Sequence, residues 1–197
     1  YPMLLGPSAG AGPGFDITSR RRSQFNDAPL FPDKHFYRDV IQKFTKAIVN
    51  VLDLDELMRL AVRAIGEVFR VNRIALLLGD EKRENFRVGF SVGFDERFLG
   101  QFHFSLQSGL CHWLINNNCI LNRQEVERQL DDNSFGLLME LNLLKVELAF
   151  PLFSKGKLIG VLTLANKILG QRYQQEDLEI LSLLVDYLTV SIENALL

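Results

Sequence analysis

The run from Phe150 to Asp177 constrains this chain more than any other segment. Two nearly continuous apolar stretches, Phe150-Pro-Leu-Phe153 and Leu158-Ile-Gly-Val-Leu-Thr-Leu-Ala165, flank Lys155-Gly156. Glycine tolerates positive φ, so a two-residue loop there lets the strands turn back on each other. Both arms are apolar throughout rather than alternating, the pattern of strands covered on both faces. Pro151 cannot donate to a ladder, which predicts an edge or a bulge at that position. Tyr173-Gln-Gln-Glu-Asp177 then opens a long Leu-rich helix, so the segment reads as a buried hairpin handing over to a helix.

Upstream, residues 1 to about 34 carry Gly6, Gly10, Gly12 and Gly14 among Pro2, Pro7 and Pro13, followed by Arg20-Arg21-Arg22. This is linker chemistry, and residues 35–197 are read as the folded domain. Tyr37, Val40, Phe44, Ala47 and Val51 recur at steps of three and four, which predicts a first helix over 35–51. Asp53 and Glu56 have the form of a capping box for a second helix, with Leu54, Leu57, Met58, Ala61, Ile65, Val68 and Phe69 on its core face. Ile74 to Leu78 reads as a buried strand. Phe86, Val88, Phe90, Val92 and Phe94 alternate with Arg87, Gly89, Ser91 and Gly93, a period of two that predicts a strand with one aromatic face. Phe102 to Ser105 and Cys119 to Leu121 read as short strands, and Ser108 can cap a helix through Leu110, Trp113 and Leu114. Phe135, Leu138 and Leu141 suggest one more helix before the hairpin. Helices and strands in this order give an α+β fold with an antiparallel sheet of roughly six strands.

The last helix, expected over 175–197, has two apolar faces. Leu178, Leu181, Val185, Leu188 and Ile192 follow a heptad seam, and Ile180, Leu183, Leu184, Tyr187 and Val190 form another face. One face would pack on the sheet and the other on a partner helix, either the first helix, its copy in a second subunit, or both. A homodimer through the terminal helices is therefore expected, with Leu178, Leu181, Val185, Leu188 and Ile192 as its seam.

Apolar residues make up 47% and charged residues 23%, with a net charge of −2, which supplies neither a nucleic-acid footprint nor a polybasic membrane patch. No stretch approaches the ~20 apolar residues that span a bilayer, and a cytoplasmic location is expected. Cys111 and Cys119 fit no disulfide framework or zinc spacing, and His35, His103 and His112 are too scattered for a metal site or a triad. The chain opens at Tyr1 and stops within a helical pattern at Leu197, as would a piece of a larger protein.

Four landmarks occur in order: Arg73-Ile-Ala-Leu-Leu-Leu78, Phe104-Ser-Leu-Gln-Ser-Gly-Leu-Cys-His-Trp-Leu114, the hairpin, and Asn166-Lys167 with Tyr173 and Asp177. Together they make residues from about Phe36 to Leu197 resemble a GAF domain, a small-molecule-sensing and dimerising module. The resemblance implies an antiparallel sheet with the N- and C-terminal helices on one face and a ligand-enclosing lid on the other. It implies a Lys167 to Asp177 ion pair bracing strand against helix. It places a ligand against Phe104, Ser108, Cys111, His112, Trp113, Ser134, Phe135 and Leu138, with the helix N-terminus at Ser108 as the ready anion site. The alternative is that these residues fill a collapsed pocket.

Bilin-binding members attach their chromophore through a cysteine at a position near Ser134 here, so Cys111-His112 lies on the wrong helix. The free methionine sulfoxide reductases share a segment like Gly109-Leu110-Cys111, but their attacking cysteine falls where this chain reads Asp131-Asp-Asn-Ser134. The expectation is a non-catalytic sensory domain with no bound cofactor and no metal. It would relay helix repacking to an attached histidine kinase, diguanylate cyclase or transcription activator. The alternative is a thiol-dependent sulfoxide reductase.

Overall fold

The computed structural model describes residues 34–132 and 134–197, so the Gly/Pro-rich stretch and the arginine triplet lie outside the described residues. Six strands form an antiparallel sheet in the spatial order β3-β2-β1-β6-β5-β4. They are β1 (Ile74–Gly79), β2 (Asn85–Val92), β3 (Phe104–Ser105), β4 (Leu121–Asn122), β5 (Leu148–Ser154) and β6 (Lys157–Leu164). The helices are α1 (Lys34–Ile48), α2 (Leu54–Phe69), α3 (Glu96–Leu99), α4 (Gly109–Asn117), α5 (Arg123–Glu127), α6 (Phe135–Leu143) and α7 (Gln175–Leu196). The class is α+β.

The hairpin sets the centre of the sheet. Lys155 (φ 50°) and Gly156 (φ 75°) are both left-handed, the signature of a type I′ connection. Because β4 pairs only with Leu148 and Ala149, Pro151 falls on a stretch of β5 that has no second neighbour. Side chains of β1 alternate between two separate cores. Ile74 and Leu76 join α1, α2 and α7 on one face, while Ala75 and Leu77 join α4 and α6 on the other.

Strand β2 departs from the strict alternation in the sequence. Leu77 pairs with Val88 but Leu76 pairs with Phe90, so Gly89 is a bulge. Phe86 and Val88 therefore face the lid core, whereas Phe90 and Val92 face the helices. The bulge lies against α2, since a Cβ at Gly89 would lie 2.7 Å from Met58 Sδ. Two further short helices lie in segments where the sequence pattern marks no element. Asp95 accepts from the Arg97 and Phe98 amides to start α3, and Asn122 accepts from Gln124 N to start α5.

On the helix side, α1 buries Val40, Phe44 and Ile48 and stops there, leaving Ala47 exposed and Val51 beyond its end. Asp53 Oδ1 accepts from Glu56 N at 2.8 Å, but the Glu56 carboxylate turns to Arg59 rather than completing the box. In α7 the heptad seam is internal. Leu181, Val185, Leu188 and Ile192 are buried within this one chain and Leu178 packs at the edge of the same core, so these five are not the dimer surface the spacing suggested. The exposed stripe is Leu183, Tyr187 and Val190, from the other apolar face. Thr189 is buried and donates its hydroxyl to Val185 O at 2.7 Å. Among the described residues, no helix is long and apolar enough to cross a membrane.

Candidate functional site

The lid side is built from pieces of 2 to 9 residues: β3, α4, β4, α5 and α6. Too short to be stable alone, they are ordered by a shared apolar core of Phe86, Phe104, Leu110, Leu114, Leu137 and Leu141. A carboxyl group reaches into it. Glu140, from the middle of α6, accepts a 2.6 Å hydrogen bond from Leu110 N at the first turn of α4. Ser108 occupies the N-cap position but makes no side-chain cap bond, so the cap comes from a residue thirty positions away. Gly109 permits the approach, because it is left-handed (φ 68°) and a Cβ there would fall on the Glu140 carboxylate, 2.2 Å from Oε2.

Burial pushes the Glu140 carboxyl up to about 7, the Leu110 amide opposing that shift. Beside it, burial pushes the Cys111 thiol above its ordinary range, and the Glu140 charge adds to the effect. The expected anion site at the start of α4 is thus filled by the chain's own carboxyl group.

The eight residues read as ligand contacts divide. Phe104 and Cys111 are buried in the lid core, and Trp113 and Leu138 are half-buried, Trp113 packing against that core. Ser108, His112 and Phe135 point outward: His112 Nε2 shares a hydrogen bond with Asn116, and Phe135 is 71% exposed. Ser134 Oγ is turned to Asp131 at 2.7 Å. An apolar helix presented to water at its first turn explains Phe135, since α6 is apolar on nearly every side. The residue missed by the sequence reading is Glu140, and its signal was there: it is the lone acid in Phe135-Gly-Leu-Leu-Met-Glu-Leu-Asn-Leu143.

Elsewhere, Lys167 Nζ lies 2.5 Å from Asp177 Oδ2, with both side chains nearly buried (12% and 8% exposed) rather than solvated. Asp177 also accepts from Gln174 N at 2.7 Å, and Tyr173 Oη donates to Ala165 O at 2.6 Å, so this end of β6 is tied to the start of α7. His103 is exposed and accepts from Arg87 Nε at 3.2 Å. Among the described residues no cluster of His, Cys, Asp and Glu is arranged to hold a metal ion.

A two-core antiparallel sheet with this strand order can be set beside known families. The GAF domain family matches residues 51–193, well over half of the chain. The chain belongs to the GAF family. Solved structures with the same fold include the GAF domain of a phosphoenolpyruvate-protein phosphotransferase from Acinetobacter. It is 19% identical with a TM-score of 0.64, covering 83% of this chain and 96% of that one. The free methionine-R-sulfoxide reductase from Neisseria meningitidis, in complex with its substrate, is 18% identical with a TM-score of 0.61, covering 84% and 93%. A phycoerythrobilin-bound GAF domain of a cyanobacterial phytochrome is 16% identical with a TM-score of 0.58, covering 81% and 95%. At these identities the likeness is one of fold. No curated protein is significantly similar in sequence.

Proposed function

We propose that this GAF domain is a non-catalytic sensory module. It takes a small, largely apolar or heteroaromatic molecule on the lid side, against Phe104, Cys111, Trp113 and Leu138. The occupied state is relayed through the sheet to the terminal helices and on to an attached output domain such as a histidine kinase, a diguanylate cyclase or a transcription activator. The observation that carries the reading is the sheet shared by two cores, because a displacement of Ala75 or Leu77 on the lid side moves a strand that also holds Ile74 and Leu76 against α2 and α7. Packed cores respond to such displacements by switching between arrangements rather than by deforming continuously. The exposed stripe Leu183, Tyr187 and Val190 is the face through which two copies would pair.

Cys111 supports the non-catalytic reading. Sulfoxide reduction needs a thiolate in reach of substrate, and a buried thiol pushed upward stays protonated. Native mass spectrometry of freshly purified protein, with sedimentation of wild type and Val190→Glu, tests the proposal. A co-purifying small molecule and a dimer that Val190→Glu dissociates without unfolding are expected. Methionine sulfoxide turnover that disappears in Cys111→Ser would overturn it.

A further inference from the structure

A groove of about 440 Å³ opens at the end of the sheet opposite the hairpin turn, where β1 and β5 begin and β6 ends. Four cations from four separate segments line it, Arg73, Arg123, Lys145 and Lys167, against a single acid, Glu147. With a net charge of −2, the chain does not create this concentration by being basic overall. Two of the cations are fixed by partners: Arg123 donates to Glu127 (2.6 Å) and to Asn142 Oδ1 (2.5 Å), and Lys167 to Asp177. The other two, Arg73 and Lys145, are exposed and have no ion pair or side-chain hydrogen bond among the described residues.

Two non-glycine residues of this groove hold the left-handed backbone that favours glycine. Lys145 is left-handed (φ 51°) in the turn that ends α6, closed by Val146 N donating to Leu141 O at 2.9 Å. Leu169 is also left-handed (φ 67°) and is 88% exposed, beside the exposed Ile168. Glu147, the one acid of the lining, is engaged by Gln124, whose Nε2 donates to Glu147 Oε1 at 3.2 Å.

We propose that this groove binds a phosphate-type anion, with the unpaired Arg73 and Lys145 as its direct contacts and the ion-paired Arg123 and Lys167 forming its walls. The site is separate from the lid side and does not depend on what the lid holds. Ile168 and Leu169 stand where the organic part of a phosphate compound would lie. The phosphate can come from a soluble compound or from a lipid headgroup, and the two sources are separable.

The test is calorimetric titration of the full chain with inorganic pyrophosphate, together with co-sedimentation with phosphatidylserine-containing vesicles. Saturable binding in at least one arm is expected, weakened at least about tenfold in Arg73→Ala/Lys145→Ala. The thermal melt should stay unchanged, because both side chains are exposed. Binding of pyrophosphate alone assigns a soluble phosphate; vesicle binding that Ile168→Ser/Leu169→Ser abolishes assigns a headgroup. No saturable response to either probe, or binding indifferent to the double variant, overturns the proposal.

Discussion

The two faces of the sheet are built on different principles. On one, three helices of 15, 16 and 22 residues lay aliphatic stripes on the strands, and the buried acid there, Asp177, is paired with Lys167 and bonded to a backbone amide. On the other, helices of 4 to 9 residues enclose a core that also holds a raised carboxyl, a thiol and Ser91, whose Oγ has no hydrogen-bond partner. Ser91 pairs with Ala75, whose side chain lies in the lid core. Regularity and satisfied polar groups make the first face stiff, whereas short elements held by single latches open at lower free energy. In this domain a change is therefore easiest to accept on the lid side and easiest to transmit on the helix side.

Matched truncations give the largest effects. Leu188 and Leu141 are both completely buried, one in each core. Leu188→Ala should cost about 4 kcal/mol and Leu141→Ala about 2 kcal/mol, because the cost of a cavity depends on how far its walls can collapse. Urea denaturation of the two variants measures the gap. Equal costs would mean that the lid core is as rigid as the other, and the contrast between the faces would fail.

Next comes the tie at the start of α7. Lys167→Met strands the nearly buried Asp177 carboxylate and should cost about 3 kcal/mol, whereas Lys167→Met/Asp177→Asn removes both charges and should recover most of it. Failure of the double variant to recover would show that the geometry of the tie, not its charge balance, stabilises the helix side.

How much of this could be read beforehand follows the same division. The hairpin, α2 and α7 declare themselves through long apolar periods and a two-residue turn, and their strand and helix identities hold in the structure. The heptad spacing of Leu181, Val185, Leu188 and Ile192 located an apolar face but could not say what covers it, since a sheet and a second helix reward the same period. At Gly89 the alternation continued in the sequence while the strand flipped faces, because a bulge changes geometry without changing the residue pattern. On the lid side, α3 and α5 are one turn long, and their only marks are the caps Asp95 and Asn122. Glu140 was passed over because its partner, Leu110 N, is a backbone group thirty residues away.

The smallest effect is also the most specific to the lid. Glu140 titrates at about 7 when folded, against an ordinary value of 4.5. Between those values the folded protein holds a proton that the unfolded chain has released, so folding is favoured at the acid end of the window. Stability should fall as pH rises from about 5 to 8, by about 1 to 2 kcal/mol once solvent screening of a partly exposed side chain is allowed for. Glu140→Gln keeps an oxygen for Leu110 N and cannot ionise, so its stability should be flatter across that window. Urea denaturation at pH 5 and pH 8 for both proteins measures the difference in slope. Hydrogen exchange, corrected for its intrinsic pH dependence, should place the added opening in α4 and α6 and leave α7 unaffected. Parallel slopes, or opening spread equally over α7, would show that the Glu140 latch is not what separates the plastic face from the stiff one.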